Sequence, residues 1–326
     1  MRREACRATP GLVKMAIRGL GTSFHMAARL RHGRHLLAGF IALWMLACSS
    51  STTPDAVPAA APAMPAPHGA ATPAAAVTDL IADLRRNALA DLPRTALPPA
   101  LYARVEAGWR AGRSRWPLTE LPLDDSIPGL LHALTQPDAE RKLQARFRQQ
   151  LSGQTRALQE AARGLGLWGR QYLAREGQYN AQQRRHYVQL VDAVSSWAAQ
   201  APLGDPERGR DSVHLLVNGA ARGAPAGADD FSRMGMDASL KGLVPLYIAG
   251  KQMLGRYGLG VDAALASVRA DTVEIRGDTA TVRVKYLLAG REIETVMDVV
   301  RRDGRWYLAD YLAAAEASLA DGADRP

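Results

Sequence analysis

Few side chains in this sequence stand at spacings that do chemistry. The two cysteines, Cys6 and Cys48, are too few for a disulfide framework, a zinc ribbon or an iron–sulfur cluster. Past residue 47 the histidines are His68, His132, His186 and His214. Each stands alone, without an H-E-x-x-H or a His-x-His pair, so neither a metal nor a cofactor is expected. His186, beside Tyr187, is expected on an exposed polar helix face. Gly164-Leu165-Gly166-Leu167-Trp168-Gly169 spells G-x-G-x-x-G. The dinucleotide fingerprint needs a strand before it and a helix after it, inside a parallel βαβ unit. Here a helical pattern precedes it, so it reads as a helix break, and Gly258-Leu259-Gly260 as a helix terminator. No G-x-S-x-G elbow occurs, and Ser195-Ser196 fall mid-helix, where a nucleophile is not presented. Asp124-Asp125 and Asp229-Asp230 fall in expected loops, as turn or cap residues. What remains is Cys48, and its interest lies in what surrounds it.

Residues 36–47 form an apolar run of 12, preceded by Arg29, Arg31 and Arg34. A hydrocarbon core about 30 Å thick needs roughly 20 residues of helix, so the run is too short to span. Its length is that of a signal-peptide hydrophobic region. Residues 1–25 precede any normal positively charged start, which makes Met15 and Met26 alternative starts.

The run ends in Leu46-Ala47-Cys48, which resembles the lipobox of bacterial lipoproteins; Met45-Leu46 departs from the small residue the motif has first. The resemblance implies cleavage before Cys48, a diacylglycerol on its sulfur and a third acyl chain on the new amino group. Each buried methylene contributes about 0.8 kcal/mol, so several chains anchor stably where one does not. Once Cys48 is acylated no free thiol is left for nucleophilic chemistry. In that family an Asp after the cysteine favours the inner membrane, so Ser49 points to the periplasmic face of the outer membrane. The membrane, reached through Cys48, is therefore the first partner expected.

Behind Cys48 the chain turns to Ser, Thr, Ala and Pro, with Pro54, Pro58, Pro62, Pro65, Pro67 and Pro73, one charge at Asp55 and no aromatic up to residue 67. Such a stretch has no core to bury and reads as a semi-rigid tether over 48–77. The leader also explains the charge. The chain is +9, with a pI near 9.9, which resembles a nucleic-acid binder's balance. Residues 1–47 hold 8 Lys/Arg against Glu4 alone, which leaves 33 against 31 in the rest, or +2. Nucleic acid is accordingly not expected as a partner.

Residues 78–235 read as a helical domain. Thr78 caps a helix with Ile81, Leu84 and Leu89; Pro98-Pro99 open one with Leu101, Val105 and Trp109 on one face. Residues 116–128, with three prolines, read as a loop. Pro137-Asp138-Ala139-Glu140 starts a helix through Leu143, Phe147, Leu151 and Leu158 to about Gly164. Shorter helices follow over 167–175, over 181–199 with Asn180 as N-cap and over 210–221, and the apolar stretch 240–254 reads as interrupted at Pro245. Trp109, Trp168, Tyr172, Tyr187 and Trp197 are core candidates at helical spacing, with ligand stacking as their other use. The arginines of 141–156 and Arg184-Arg185 are interleaved with Gln and Glu, and read as a solvated face, not a phosphate-binding stripe.

From Ser267 the period changes to two. Val273 and Ile275 begin an alternation, Gly277-Asp278 turns, and Val282, Val284, Tyr286 and Leu288 alternate with Thr281, Arg283 and Lys285. Gly290 turns again, 293–300 is a third strand, and Asp303-Gly304 is a hairpin signal before Arg305-Trp306-Tyr307-Leu308. A short helix over 312–319 ends the unit. The fold class is thus α+β: a mainly helical domain, then a four-stranded antiparallel meander with packed helices over 236–326. The runs Val273-x-Ile275-x-Gly277-Asp278 and Asp303-Gly304-Arg305-Trp306-Tyr307-Leu308 resemble lipoproteins and secreted proteins of the cystatin-like or nuclear-transport-factor-two-like fold. That resemblance implies a curved sheet with helices in its concave face. Enzymes of the fold use an Asp or His in the cone; the matching residues here are Asp298 and Tyr286, and strand parity sets Asp298 on the face opposite Met297 and Val299. Fold alone does not settle function. The expectation is a lipid-anchored envelope protein, a non-enzymatic binding or assembly factor in the periplasm with an envelope protein as partner. The alternative is an enzyme using the C-terminal cone on a small apolar ligand or a cell-wall fragment. A filled cone and an exposed apolar patch favour the first; a deep pocket around a perturbed ionisable group favours the second.

Overall fold

The structure, a computed structural model, describes residues 68–121, 124–175 and 179–320. Residues 1–67, with the expected leader, Cys48 and most of the expected tether, lie outside these. The described residues form eleven α-helices and one four-stranded antiparallel sheet, the α+β class expected. Among them no helix is long and apolar enough to cross a membrane.

Residues 68–77, expected as the end of the tether, are built into the fold. Ala70 pairs with Trp306, donating to its carbonyl at 3.0 Å and accepting from its N–H at 2.9 Å. Helix α1 (Ala75–Arg85) starts ahead of Thr78, because the Thr72 hydroxyl already accepts the Ala75 N–H at 3.2 Å. After α2 (Leu92–Ala96), α3 (Pro99–Arg110) opens on proline and turns Leu101, Val105 and Trp109 inward, as its spacing predicts. The Trp109 indole donates to the Trp116 carbonyl at 2.6 Å. The expected loop over 116–128 is shorter: it contains two 3-10 turns and then α4 (Ile127–Thr135), with Pro128 tolerated in the first turn.

Helix α5 (Ala139–Gln150) stops well before Gly164, at a turn where Gly153 has φ +77°. Helix α6 (Thr155–Arg175) then runs unbroken through Gly164-Leu165-Gly166, where a break was expected. The reason lies across the interface. Asn180 and Gln183 form a capping box that starts α7 (Ala181–Ala198), and α6 and α7 pack as a hairpin. A Cβ on Gly166 would stand 2.5 Å from the Ser195 side chain, and one on Gly169 would stand 3.2 Å from Val191. The glycines let two helices approach; their propensity cost, about 1 kcal/mol each, is offset by that packing.

Asp205 caps α8 (Pro206–Ala221) by accepting the Arg208 N–H at 2.9 Å. Next comes α9 (Ala228–Arg256), a 29-residue element broken at Gly235 (φ +75°) and not, as expected, at Pro245, through which it runs continuously. Glu106 accepts the Met236 N–H at 3.1 Å, taking one of the donors the break frees. Helix α10 (Val261–Ala266) leads into β1 (Arg269–Arg276), β2 (Thr279–Leu288), β3 (Arg291–Arg302) and β4 (Arg305–Leu308), and α11 (Ala309–Ala320) closes the described chain. The strands pair in sequence order, and Asp303 and Gly304 both take positive φ in the last turn.

On the inner face Val282, Val284 and Leu288 of β2 and Ile293, Met297 and Val299 of β3 are buried, and helices cover them. One cluster of buried apolar side chains runs from Ala70 through the helices to Ala315. The outer face is charged: Lys285 meets Glu294 at 2.9 Å and Arg283 meets it at 3.3 Å. The expected alternation of Val273 and Ile275 does not bury them. The register shifts between Thr272 and Glu274, and both side chains stand exposed on the edge strand β1.

Candidate functional site

Cys48, expected as a lipidation site, lies outside the described residues. The described chain offers two further places where function could reside: a buried polar group under the sheet and a bare helix face.

The first contradicts the expectation for His186. Helix α7 lies along β3, and its His186, Leu190 and Ala193 are buried. The β4 strand covers only the end of β3, from Val299 on. Over the remaining edge Gln189 accepts the Glu294 N–H at 2.9 Å and donates to the Glu294 carbonyl at 3.1 Å, while Gln182 donates to Val296. Two glutamines seven residues apart thus serve as the missing strand neighbour. This docking drives His186 inside, 1% exposed, with Nε2 3.1 Å from the Tyr286 hydroxyl. Burial pushes the imidazole down to about 4 and holds the Tyr286 phenol above its ordinary value. Both are therefore neutral near pH 7. Asp298, the other residue implied by the fold resemblance, is exposed on the opposite face beside Thr281, as strand parity predicts, and does not meet Tyr286.

Nothing in the sequence marked Glu120. It is buried in a 3-10 turn, and burial, then Asp124, then Asp310 push its carboxyl up to about 8. The other buried charges have opposite or hydrogen-bonding partners: Asp83 accepts from Thr95 at 2.6 Å and from Arg86, and Lys251 pairs with Asp262. Glu120 instead faces like charges, so near neutral pH it keeps its proton.

Asp229-Asp230, expected in a loop, fall in the first turn of α9, and Asp124-Asp125 in a 3-10 turn. Asp230 accepts the Ala226 N–H at 2.9 Å ahead of α9. His68 bonds to the Leu97 carbonyl, His132 to Gln136 and His214 to Glu140. Among the described residues no group of three His, Cys, Asp or Glu could hold a metal.

The second place is α6. It buries only Gly166 and Leu173. Its outward side carries Leu165, Leu167 and Trp168 at 64%, 52% and 55% exposure, and the Trp168 and Tyr172 rings stack at 5.3 Å. Trp168, expected in the core, is a surface residue, whereas Trp109 and Tyr187 are buried as expected. The spacing is helical in every case; only the neighbouring helix decides which side is inside.

No family model, no curated protein and no solved structure matches this chain.

Proposed function

We propose that this chain is a lipid-anchored cell-envelope protein, held through Cys48 at the periplasmic face of the outer membrane, and that it acts there as a non-enzymatic binding or assembly factor. The observation that carries the reading is the placement of its apolar surface. The inner face of the sheet is filled by its own side chains, while Leu165, Leu167 and Trp168 stand outside on α6. A protein that works by presenting a surface needs the second and has no use for an open cone. The leader, the lipobox-like end at Cys48 and the proline-rich stretch behind it supply the anchor and the reach.

Two measurements test this. Mass spectrometry of the mature product should find an acylated Cys48 at the amino terminus; a bare thiol with residues 1–47 attached overturns the anchor. A photo-reactive residue in place of Trp168 should form adducts in cells, and one in place of Arg283 should not; no adduct at 168 overturns the binding face.

The second reading is an enzyme acting in the C-terminal module on a small apolar ligand or a cell-wall fragment. His186 and Tyr286, hydrogen-bonded at 3.1 Å on the inner face, favour it. Its signature is a turnover abolished by both His186→Ala and Tyr286→Phe.

A further inference from the structure

Charge after the leader is not spread evenly. Residues 139–185, which hold α5, α6 and the start of α7, contain 10 Lys/Arg against 3 Asp/Glu. The other residues from 48 to 326 contain 23 against 28. The near-neutral balance of the mature chain is thus the sum of a segment at +7 and a remainder at −5. The basic segment also holds Leu151, Leu165, Leu167 and Trp168, four of the eight large apolar side chains exposed among the described residues. Positive charge and bare apolar surface coincide on one stretch of the chain.

Helix geometry gives that surface a direction. Gly166 and Leu173 face α7. At 100° per residue Leu167 and Trp168 straddle the line pointing away from α7, and Trp168, Tyr172 and Arg175 follow at i, i+4 and i+7. The stripe therefore ends on an exposed arginine at the last turn of α6. Arg163 and Arg170 instead lean toward α7, on the Ala199 carbonyl at 3.1 Å and on Asp192 at 3.1 Å, so Arg175 is the cation that continues the aromatic stripe. Tryptophan and tyrosine have an apolar body and a polar edge, the form that rests at the headgroup level of a bilayer, and arginine reaches phosphate from a long apolar stem. A helix with a bare apolar side and a surplus of arginine has the chemistry of an in-plane membrane helix.

We propose that the outer face of α6 docks on an anionic lipid surface, with Leu165, Trp168 and Tyr172 seated among the headgroups and Arg175 against a lipid phosphate. This rests on the reading that the chain works at a membrane, and it names lipid as the partner of the face already described. The folded part then lies on the leaflet instead of hanging free on its tether.

The test uses the full chain carrying Cys48→Ser, so that no acyl group contributes. Vesicles of phosphatidylcholine alone are compared with a phosphatidylcholine–phosphatidylglycerol mixture. The leader is present in every variant, so differences between variants report α6. Expected are salt-sensitive binding to the mixed vesicles and a blue shift of tryptophan emission that Trp168→Phe removes. Paired Leu165→Ser and Trp168→Ser should weaken binding by at least about tenfold, with an unchanged circular dichroism spectrum. Arg175→Gln should weaken it by about fivefold. Binding that the paired substitution leaves unchanged overturns the proposal. So does a lipid-free dimer that Trp168→Ser dissociates, which assigns the face to a second copy. An unacylated Cys48 in cells together with intact vesicle binding overturns the anchored reading and leaves this one standing.

Discussion

The outward faces of the sheet and of α6 are both in solvent, yet they are built by different rules. On the sheet Arg283, Lys285 and Glu294 pair across strands, and Thr281 bonds to Asp298. That face is dominated by paired charges, with Leu287 as a lone exposed large apolar side chain on β2. On α6 the outward residues are Leu165, Leu167 and Trp168, and the charges around them are mostly of one sign. A face that is to stay in water does not need large apolar groups; a face that meets something does.

The comparison can be broken most forcefully from inside. Ile293→Ala, under the sheet, should cost about 2–5 kcal/mol in denaturant unfolding. Gly166→Val should cost about 1–3 kcal/mol, because its side chain must displace Ser195 and pry α6 from α7; an unchanged unfolding midpoint would show that the hairpin is not close-packed. Titration sharpens the picture further. Glu120 has a raised folded-state pKa, so its contribution is complete below 4.5 and is lost as pH rises through about 8. His186 has a lowered one, so its contribution is complete above 6.5 and is lost as pH falls through about 4. The two oppose each other between 4.5 and 6.5, and above that Glu120 acts alone. Stability should fall by about 1.4 kcal/mol per pH unit between 6.5 and 8, and Glu120→Gln should flatten the decline. The smallest effect belongs to the bare face: Leu165→Ala should stay within about 0.5 kcal/mol of the parent. A large loss there would mean that α6 is held by its outer residues, and the contrast with the sheet would collapse.

The sheet was legible because its signals are local. Alternation over 282–288 and the Asp303-Gly304 turn lie within a few residues of what they determine. The errors fall where the cause is remote. Gly164, Gly166 and Gly169 looked like a break because backbone propensity is a local quantity, whereas Ser195 and Val191, which need the space, come a turn of chain later in α7. His186 looked exposed because the strand edge that buries α7 lies about a hundred residues on. Glu120 carried no signal because the burial that chiefly raises it is made by the tertiary packing, with Asp124 and then Asp310 of the last helix adding to it. Trp168 and Trp109 have the same spacing and opposite fates, which only the packing of α6 could separate.

The strap at residues 68–70 has a mechanical consequence. Arg305 grips two successive carbonyls, of His68 and Gly69, and Ala70 is stitched to Trp306. Gly69, at φ +66°, lies so close to the Tyr307 ring that a Cβ there would stand 2.5 Å from it. A tug arriving from upstream of His68 is therefore taken up by the β4 margin before α1 feels it, much as a cable clamp spares the soldered joint behind it.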